Sequence, residues 1–290
     1  MIEPKKLNIP HESPLVPEKL SLTDKFQFKC HKGIACFNKC CHGIDIILTP
    51  YDIIRLKNHF KIDSNEFLAK YTVPFEMDGH GMPGVKFKEK KDEKACQFLT
   101  DEGCSVYENR PVACRYYALG LMSMRAVNSP TDEDHYFIVK EDHCLGHQED
   151  TVQTIGEYRT DQGVDEYDEI NREWRQIILK KRSSGPAVGQ PSKRSFQMYF
   201  MASYNIDYFK NFVLSDGFKK IYKMDDSFYQ QMEKDELALF KFAFKFLKQV
   251  LFGEVTIPLH ANAIEERMKH KPKVMSNDKS AVDYDATLID

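Results

Sequence analysis

Eight cysteines carry the chemistry open to this sequence, and all of them lie between Cys30 and Cys144. Four fall on one short stretch, Phe28-Lys29-Cys30-x5-Cys36-x3-Cys40-Cys41-His42-Gly43. A second group reads Cys96-Gln97-Phe98-Leu99-x4-Cys104-x2-Tyr107-x2-Arg110-Pro111-x2-Cys114-Arg115, and Cys144 follows within His143-Cys144-Leu145-Gly146-His147. Thiolates are soft ligands that select zinc, copper(I) and iron–sulfur clusters, whereas magnesium and calcium take oxygens. Three thiols of the second group and Cys144 make four more, so the count allows two four-thiolate sites, or one site with redox or structural thiols left over. Adjacent Cys40 and Cys41 suit one tetrahedral zinc poorly, because zinc loops commonly space their ligands by two to four residues. Such a pair can instead serve two metals, and iron–sulfur clusters accept several spacings. Arg110 and Arg115 flank Cys114, where they would neutralise thiolate charge and donate to sulfur; Tyr107 is grouped with them around the ligands. His31, His42, His143 and His147 stand near cysteines, but with eight thiols at hand they read as loop histidines.

The rest of the composition narrows the class. At 290 residues the chain can bury a sizeable core, and 41 basic against 44 acidic side chains leave a formal charge of −3. That balance gives no reason to expect nucleic acid or an anionic membrane as a partner. Apolar residues at 42% and charged residues at 29% are ordinary for a folded soluble chain. No run approaches the roughly 18–20 apolar residues that spanning a bilayer needs. The opening MIEPKKLNIPHESPLVPEKL has no apolar h-region, so the expected location is the cytoplasm, where structural disulfides are rare. Clustered cysteines there read first as metal ligands.

The elements that must position these thiols form an α+β pattern: an irregular, metal-stabilised cysteine domain, then an α-helical region. Residues 1–25 read as an extended arm, 26–150 as the metal-binding domain, 151–255 as helical with a linker at 183–192, and 256–290 as a flexible tail. Thr49, Pro50 and Asp52 open a helix as N-cap, first helical residue and capping-box acid, and Ile53, Ile54 and Leu56 give it an apolar side. A second helix is expected near Asn65–Tyr71, capped by Asp63 or Ser64. Turn formers at 77–84 followed by alternating Val85-Lys86-Phe87-Lys88 predict a hairpin. Leu119–Val127 and Tyr136–Val139 are weaker strands around a loop at Asn128–Asp134. In the cysteine-free half, Tyr167, Ile170, Trp174, Ile177 and Ile178 mark one helix face. Phe196, Tyr199, Phe200 and Val213 mark a second helical stretch. Leu237, Phe240, Phe244, Leu247 and Leu251 mark a third, stopped by Gly253.

Taken together, Cys36, Cys40, Cys41, then Leu48, Thr49, Asp52, Ile53, Arg55 and Leu56, then Cys96, Phe98, Leu99, Cys104, Tyr107, Arg110, Pro111, Cys114 and Arg115 closely resemble the YkgJ family, called CxxxCC or zinc- or iron-chelating proteins. The resemblance covers about residues 26–147. The opening Cys-x5-Cys-x3-Cys-Cys-x-Gly is also similar to that of bacterial flagellin lysine N-methylases, which implies a 4Fe-4S cluster and methyl transfer from S-adenosylmethionine to a protein or peptide lysine. Downstream, the Tyr107-x2-Arg110-Pro111 segment is closer to the general family. No Gly-rich nucleotide loop and no Cys-x3-Cys-x2-Cys radical-enzyme spacing accompany it. The expectation is therefore a metal-binding protein whose ligands are Cys30, Cys36, Cys40, Cys41, Cys96, Cys104, Cys114 and Cys144, with an iron–sulfur cluster preferred to zinc. A transferase acting on lysine and a non-catalytic metal-handling or redox-sensing protein are the alternatives. Oligomeric state is left open.

Overall fold

In the computed structural model, which describes residue 16 and residues 18–77, 81–91, 93–125, 132–183 and 192–269, the chain first becomes regular at β1 (Lys25–Gln27). Leu20, just before it, is already buried and bridged to Tyr136. After a cysteine-bearing loop come β2 (Ile47–Leu48) and α1 (Pro50–Phe60). The expected capping box closes α1: Thr49 accepts from the Asp52 amide, and Asp52 accepts from the Thr49 amide at 2.7 Å and hydroxyl at 2.8 Å. Asp63 caps α2 (Ser64–Tyr71), which runs directly into β3 (Thr72–Glu76). β3 and β4 (Pro83–Phe87) form the expected hairpin, with β2 on the other side of β4, so the sheet order is β2-β4-β3 and all pairs are antiparallel. The tip of that hairpin, at 78–80, lies outside the described residues.

Two short ribbons follow. β5 (Leu99–Thr100) pairs with β6 (Gly103–Cys104) and leads to the single-turn helix α3 (Val112–Arg115). β7 (Leu119–Arg125) pairs with β8 (Asp132–Ile138), so the second strand starts at Asp132, earlier than the loop at Asn128–Asp134 allowed. Its paired residues alternate across the ladder, and pairing to β7 extends the strand through polar positions that alternation alone does not mark. β9 (Val152–Thr154) returns antiparallel to β1, which brings the two ends of the cysteine region together.

The remaining chain is helical: α4 (Ile155–Gln162), α5 (Val164–Ser183), α6 (Lys193–Tyr204), α7 (Ile206–Leu214), α8 (Asp216–Ile221), α9 (Asp226–Lys234), α10 (Glu236–Phe252) and α11 (Ala263–Lys269). The fold class is α+β, with small antiparallel sheets in the cysteine region and helices beyond it. The stretch through Phe196–Val213 is two helices rather than one, because Asn205 leaves helical geometry and caps α7 by accepting from the Tyr208 amide. Gly253 ends α10 in the left-handed conformation, as expected. Ile257 is buried, and α11 packs on α8. The linker at 183–192 lies outside the described residues for 184–191. Among the described residues no helix is long and apolar enough to cross a membrane.

Two apolar cores form. The larger joins Leu48, Ile53, Leu56 and Phe67 of the cysteine region to Tyr199, Phe209, Phe240, Phe244 and Phe246 of the helices. The smaller gathers Phe26, Phe28, Tyr116, Ala118, Tyr136, Ile155 and Tyr158. Across the larger one, buried Lys57 of α1 reaches Glu236 at 2.5 Å and Asp207 at 3.2 Å. Asp207 also accepts from the Ser64 amide at 2.7 Å, which fixes α2 to α7. Both acids keep some water contact, so removing the buried cation leaves them short of a partner rather than stranded. Lys57→Ala is expected to cost about 2 kcal/mol in urea unfolding, with Lys57→Met recovering part of it through stem packing. No change for the alanine variant would show that the ion triad does not tie the halves.

Candidate metal centre

The first cysteine loop is shaped by its backbone. Asn38 takes the left-handed conformation before a 3-10 turn at Lys39–Cys41, so the chain reverses between Cys36 and Cys41. Its two ends are tied to different parts of the fold. At the start, the Lys29 amide donates to the Gly146 carbonyl at 3.0 Å, and the Leu145 amide donates to Cys36 Sγ at 3.3 Å. At the end, the Cys96 amide donates to the Cys41 carbonyl at 2.8 Å, and the Gly43 amide to the Lys94 carbonyl at 2.7 Å. The loop thus bridges the Cys144 segment and the Cys96 segment.

A small cavity sits at the first junction, lined by Cys30, Cys36, Cys40, Cys144, Tyr117 and His143. It leaves about 10 Å³ for the centre of a water-sized atom. Cys30 is exposed and Cys36 buried. The Tyr117 hydroxyl donates to Glu141 at 2.5 Å and stands 3.2 Å from His143; burial first, then the bond to Glu141 and the nearby Cys144, push the tyrosine upward. Gly146 permits the close approach: a Cβ there would come within 2.5 Å of the Phe28 ring and 3.0 Å of the Lys29 carbonyl. Gly146→Ala is expected to lower stability by about 1–3 kcal/mol in thermal melts, since ring and backbone must both shift. A melt that matches the parent would mean that Phe28 yields freely.

The other thiols meet at the second junction. β5–β6 pairing sets Leu99 opposite Cys104, and Cys96 precedes β5 by one short turn. Cys114 stands on α3, whose first amide, that of Val112, donates to Asp52 Oδ1 at 2.9 Å. Asp52 therefore fastens both α1 and α3, and its burial lifts the carboxyl to about 6. Cys96, Cys104 and Cys114 pack on the larger core, Cys144 on the smaller. Burial is the main cause raising the Cys96 thiol to about 11, and it raises Cys104 and Cys114 as well; Cys41 adds to all three. Cys40 and Cys41 share a hydrogen bond that raises Cys40 and lowers Cys41 to about 7. Cys30 is pushed up by burial, then by Cys36, Cys144 and Cys41. These mutual repulsions are what a bound cation would reverse, because a metal holds its thiols deprotonated.

The neighbouring side chains take other posts. Arg115 stacks on Tyr167 and donates to the Arg110, Gln162 and Glu108 carbonyls, at 3.1, 2.7 and 2.6 Å. Arg110 lies 3.9 Å over the exposed Tyr107 ring and donates to Gln162 at 2.9 Å. Both arginines lock the turn before Cys114 onto α4 and α5. Nothing in the residues around Cys114 signals Gln162, which lies beyond Cys144 in the chain. His31 pairs with Glu149 at 3.2 Å, and His147 packs on Phe28 beside the Val139 carbonyl. Tyr117, which lines the cavity, and its partner Glu141 carry no sequence signal, since neither belongs to a motif.

The donor chemistry suits a soft metal: eight thiols, none in a disulfide, gathered at two junctions. Among the described residues no three Cys, His, Asp or Glu side chains already stand in a coordinating arrangement, so the fit rests on donor type and proximity. Residues 29–145 match the model of the CxxCxxCC family, described as "Putative zinc- or iron-chelating domain". No curated protein and no solved structure gives a significant match.

Proposed function

We propose, from the premise that residues 29–145 are a metal-chelating domain of the YkgJ-type family, that this domain holds an iron–sulfur cluster on its cysteine thiols. The observation that carries the reading is the donor set: sulfur is the only ligand atom gathered at either junction in number, and the thiols raise one another's proton affinity. All-thiolate sets are the usual seat of iron–sulfur clusters. When bound, such a group can accept and release single electrons. The chain's own residues gather the thiols and hold their loops to two cores.

A second reading is favoured by one dimension. The cavity that Cys30, Cys36, Cys40 and Cys144 help to line is small, which favours a single zinc or iron ion over a multi-atom cluster there. Iron, zinc and acid-labile sulfide content of anaerobically purified protein, with its visible spectrum, separates the two. Iron matched by sulfide and a reducible brown band supports the cluster. Stoichiometric zinc or iron without sulfide supports single ions. Protein that purifies without metal and takes up none would overturn both.

A further inference from the structure

We propose that the eight thiols form two separate metal centres with the vicinal cysteines divided between them: an outer centre of Cys30, Cys36, Cys40 and Cys144, and an inner centre of Cys41, Cys96, Cys104 and Cys114. The inference rests on the metal-binding reading above and adds what that reading leaves open, namely which thiols act together and which centre solvent reaches. Sequence spacing alone would group Cys30, Cys36, Cys40 and Cys41, because they share one loop. The fold cuts across that grouping.

Three observations carry the division. The cavity is lined by four thiols, three from the first loop and Cys144 from far downstream, and Cys41 is not among them. Hydrogen bonds tie the two segments of each set directly: the Lys29 amide to the Gly146 carbonyl and the Leu145 amide to Cys36 Sγ on the outer side, the Cys96 amide to the Cys41 carbonyl on the inner side. The thiols also rest on different cores, Cys144 on the smaller and Cys96, Cys104 and Cys114 on the larger. The hydrogen bond between Cys40 and Cys41 places the two centres next to each other.

The centres differ in access. Cys30 is exposed, and the loop around it carries Lys29, Lys32 and Lys39 at exposed positions, whereas Cys41, Cys96, Cys104 and Cys114 are all half-buried. A site with an exposed thiolate beside a cavity exchanges a ligand more readily than one whose thiols are all half-buried. The outer centre is therefore the more exchangeable one.

Cobalt(II) titration of the metal-free full chain tests the division, read by thiolate-to-cobalt absorption and native mass spectrometry. The parent should bind two cobalt ions with four-thiolate spectra. The outer pair variant Cys30→Ser/Cys144→Ser should keep one such ion at the parent's affinity. The variant Cys30→Ser/Cys41→Ser takes one thiol from each centre and should keep none. Grouping by sequence predicts the reverse for these two variants, and that result would overturn the proposal. So would one cobalt per parent chain, although metal binding would stand; no uptake at all would instead sink the metal reading itself. A readout on the parent guards against misfolded variants: alkylation mapped by mass spectrometry while a chelator is added. Cys30, Cys36, Cys40 and Cys144 should lose protection together and first, and the other four later. Loss of all eight in one phase, or of Cys30, Cys36, Cys40 and Cys41 as a block, counts against two centres.

Discussion

Chelating the metal from the loaded protein is expected to leave most of the helical far-UV signal while abolishing amide protection at residues 28–43 and 96–115. The sequence alone points to a larger loss, the unfolding of the whole first half. The structure limits it, because α1, α2 and β4 share one apolar core with α5, α6, α7 and α10, and no thiol is needed to bury Leu48, Leu56 or Phe67. The cysteine loops reach those cores through few side chains, Phe28 on the smaller and Phe98 and Val106 on the larger. Lys39–Cys41, Leu99–Thr100 and Gly103–Cys104 are two- or three-residue elements, too short to be stable without a tertiary anchor. Ligand linkage sets the scale: metal at a thousandfold excess over Kd stabilises the folded state by about 4 kcal/mol per site. A fall in Tm of roughly 10 °C or more follows for a domain of this size. Hydrogen exchange read by mass spectrometry locates the change. Unaltered protection in both segments would mean that the loops are held by packing alone and that metal is a passenger.

Replacing Asp52 by alanine should be among the most damaging single changes outside the cysteines, at about 4 kcal/mol. The carboxylate is fully enclosed and accepts from the Thr49 amide, the Thr49 hydroxyl and the Val112 amide, each of which loses its acceptor. Each buried group left unpaired costs about 1–3 kcal/mol, and Thr49 can turn its hydroxyl to recover a little. Because Val112 opens α3, the variant should also weaken metal retention at Cys114, a readout that a simple helix-cap loss would not move. The pH dependence has an unusual sign. Burial is the dominant influence and raises the folded carboxyl to about 6, above its ordinary 3.8, so the folded state binds the proton more tightly than the unfolded chain. Its contribution is greatest below pH 4 and is lost as pH rises from about 4 to 6. The loss amounts to about 3 kcal/mol, since each tenfold difference in proton affinity is worth about 1.36 kcal/mol. Asp52→Asn cannot ionise, and its amide oxygen can serve only part of the donor set. It should be less stable than the parent near pH 4 and should show a flatter difference above pH 6. Parallel stability curves for parent and Asp52→Asn from pH 4 to 7 would refute the burial argument.

What could be read from residues alone was local. The N-terminus of α1 was legible because Thr49, Pro50 and Asp52 satisfy one another within four residues. The Gly253 stop and the apolar face of α5 were legible for the same reason, as short-range patterns. The break at Asn205 was not, since Phe196, Tyr199, Phe200 and Val213 keep helical spacing across it and only the α7 cap reveals the turn. α9 escaped notice because Asp226–Lys234 is mostly polar, with Met232 its one buried side chain. At the site, the eight cysteines stand out as candidate donors by type and spacing. Their company does not, because Leu145 meets Cys36, and Val112 meets Asp52, through contacts between distant stretches of chain. The arginines were placed near Cys114 correctly in sequence, yet in space they hold Tyr107, Tyr167 and Gln162.

The pairing of β1 with β9 also sets an order of assembly on the ribosome. Cys41, Cys96, Cys104 and Cys114 are all synthesised before β7 begins, and the contacts that gather them close comparatively short loops. Cys30 and Cys36 must wait for Cys144, and the ladder that fixes them, Lys25 to Thr154, closes only when nearly the whole cysteine region has emerged. Loop closure across that span is slower than across the shorter one. On the two-centre proposal, the thiols of Cys41, Cys96, Cys104 and Cys114 can therefore meet before Cys144 has left the ribosome, while Cys30 and Cys36 stay open to oxidation until the last strand arrives. Cellular conditions that deplete metal or raise oxidant during translation would strike the late-forming set first.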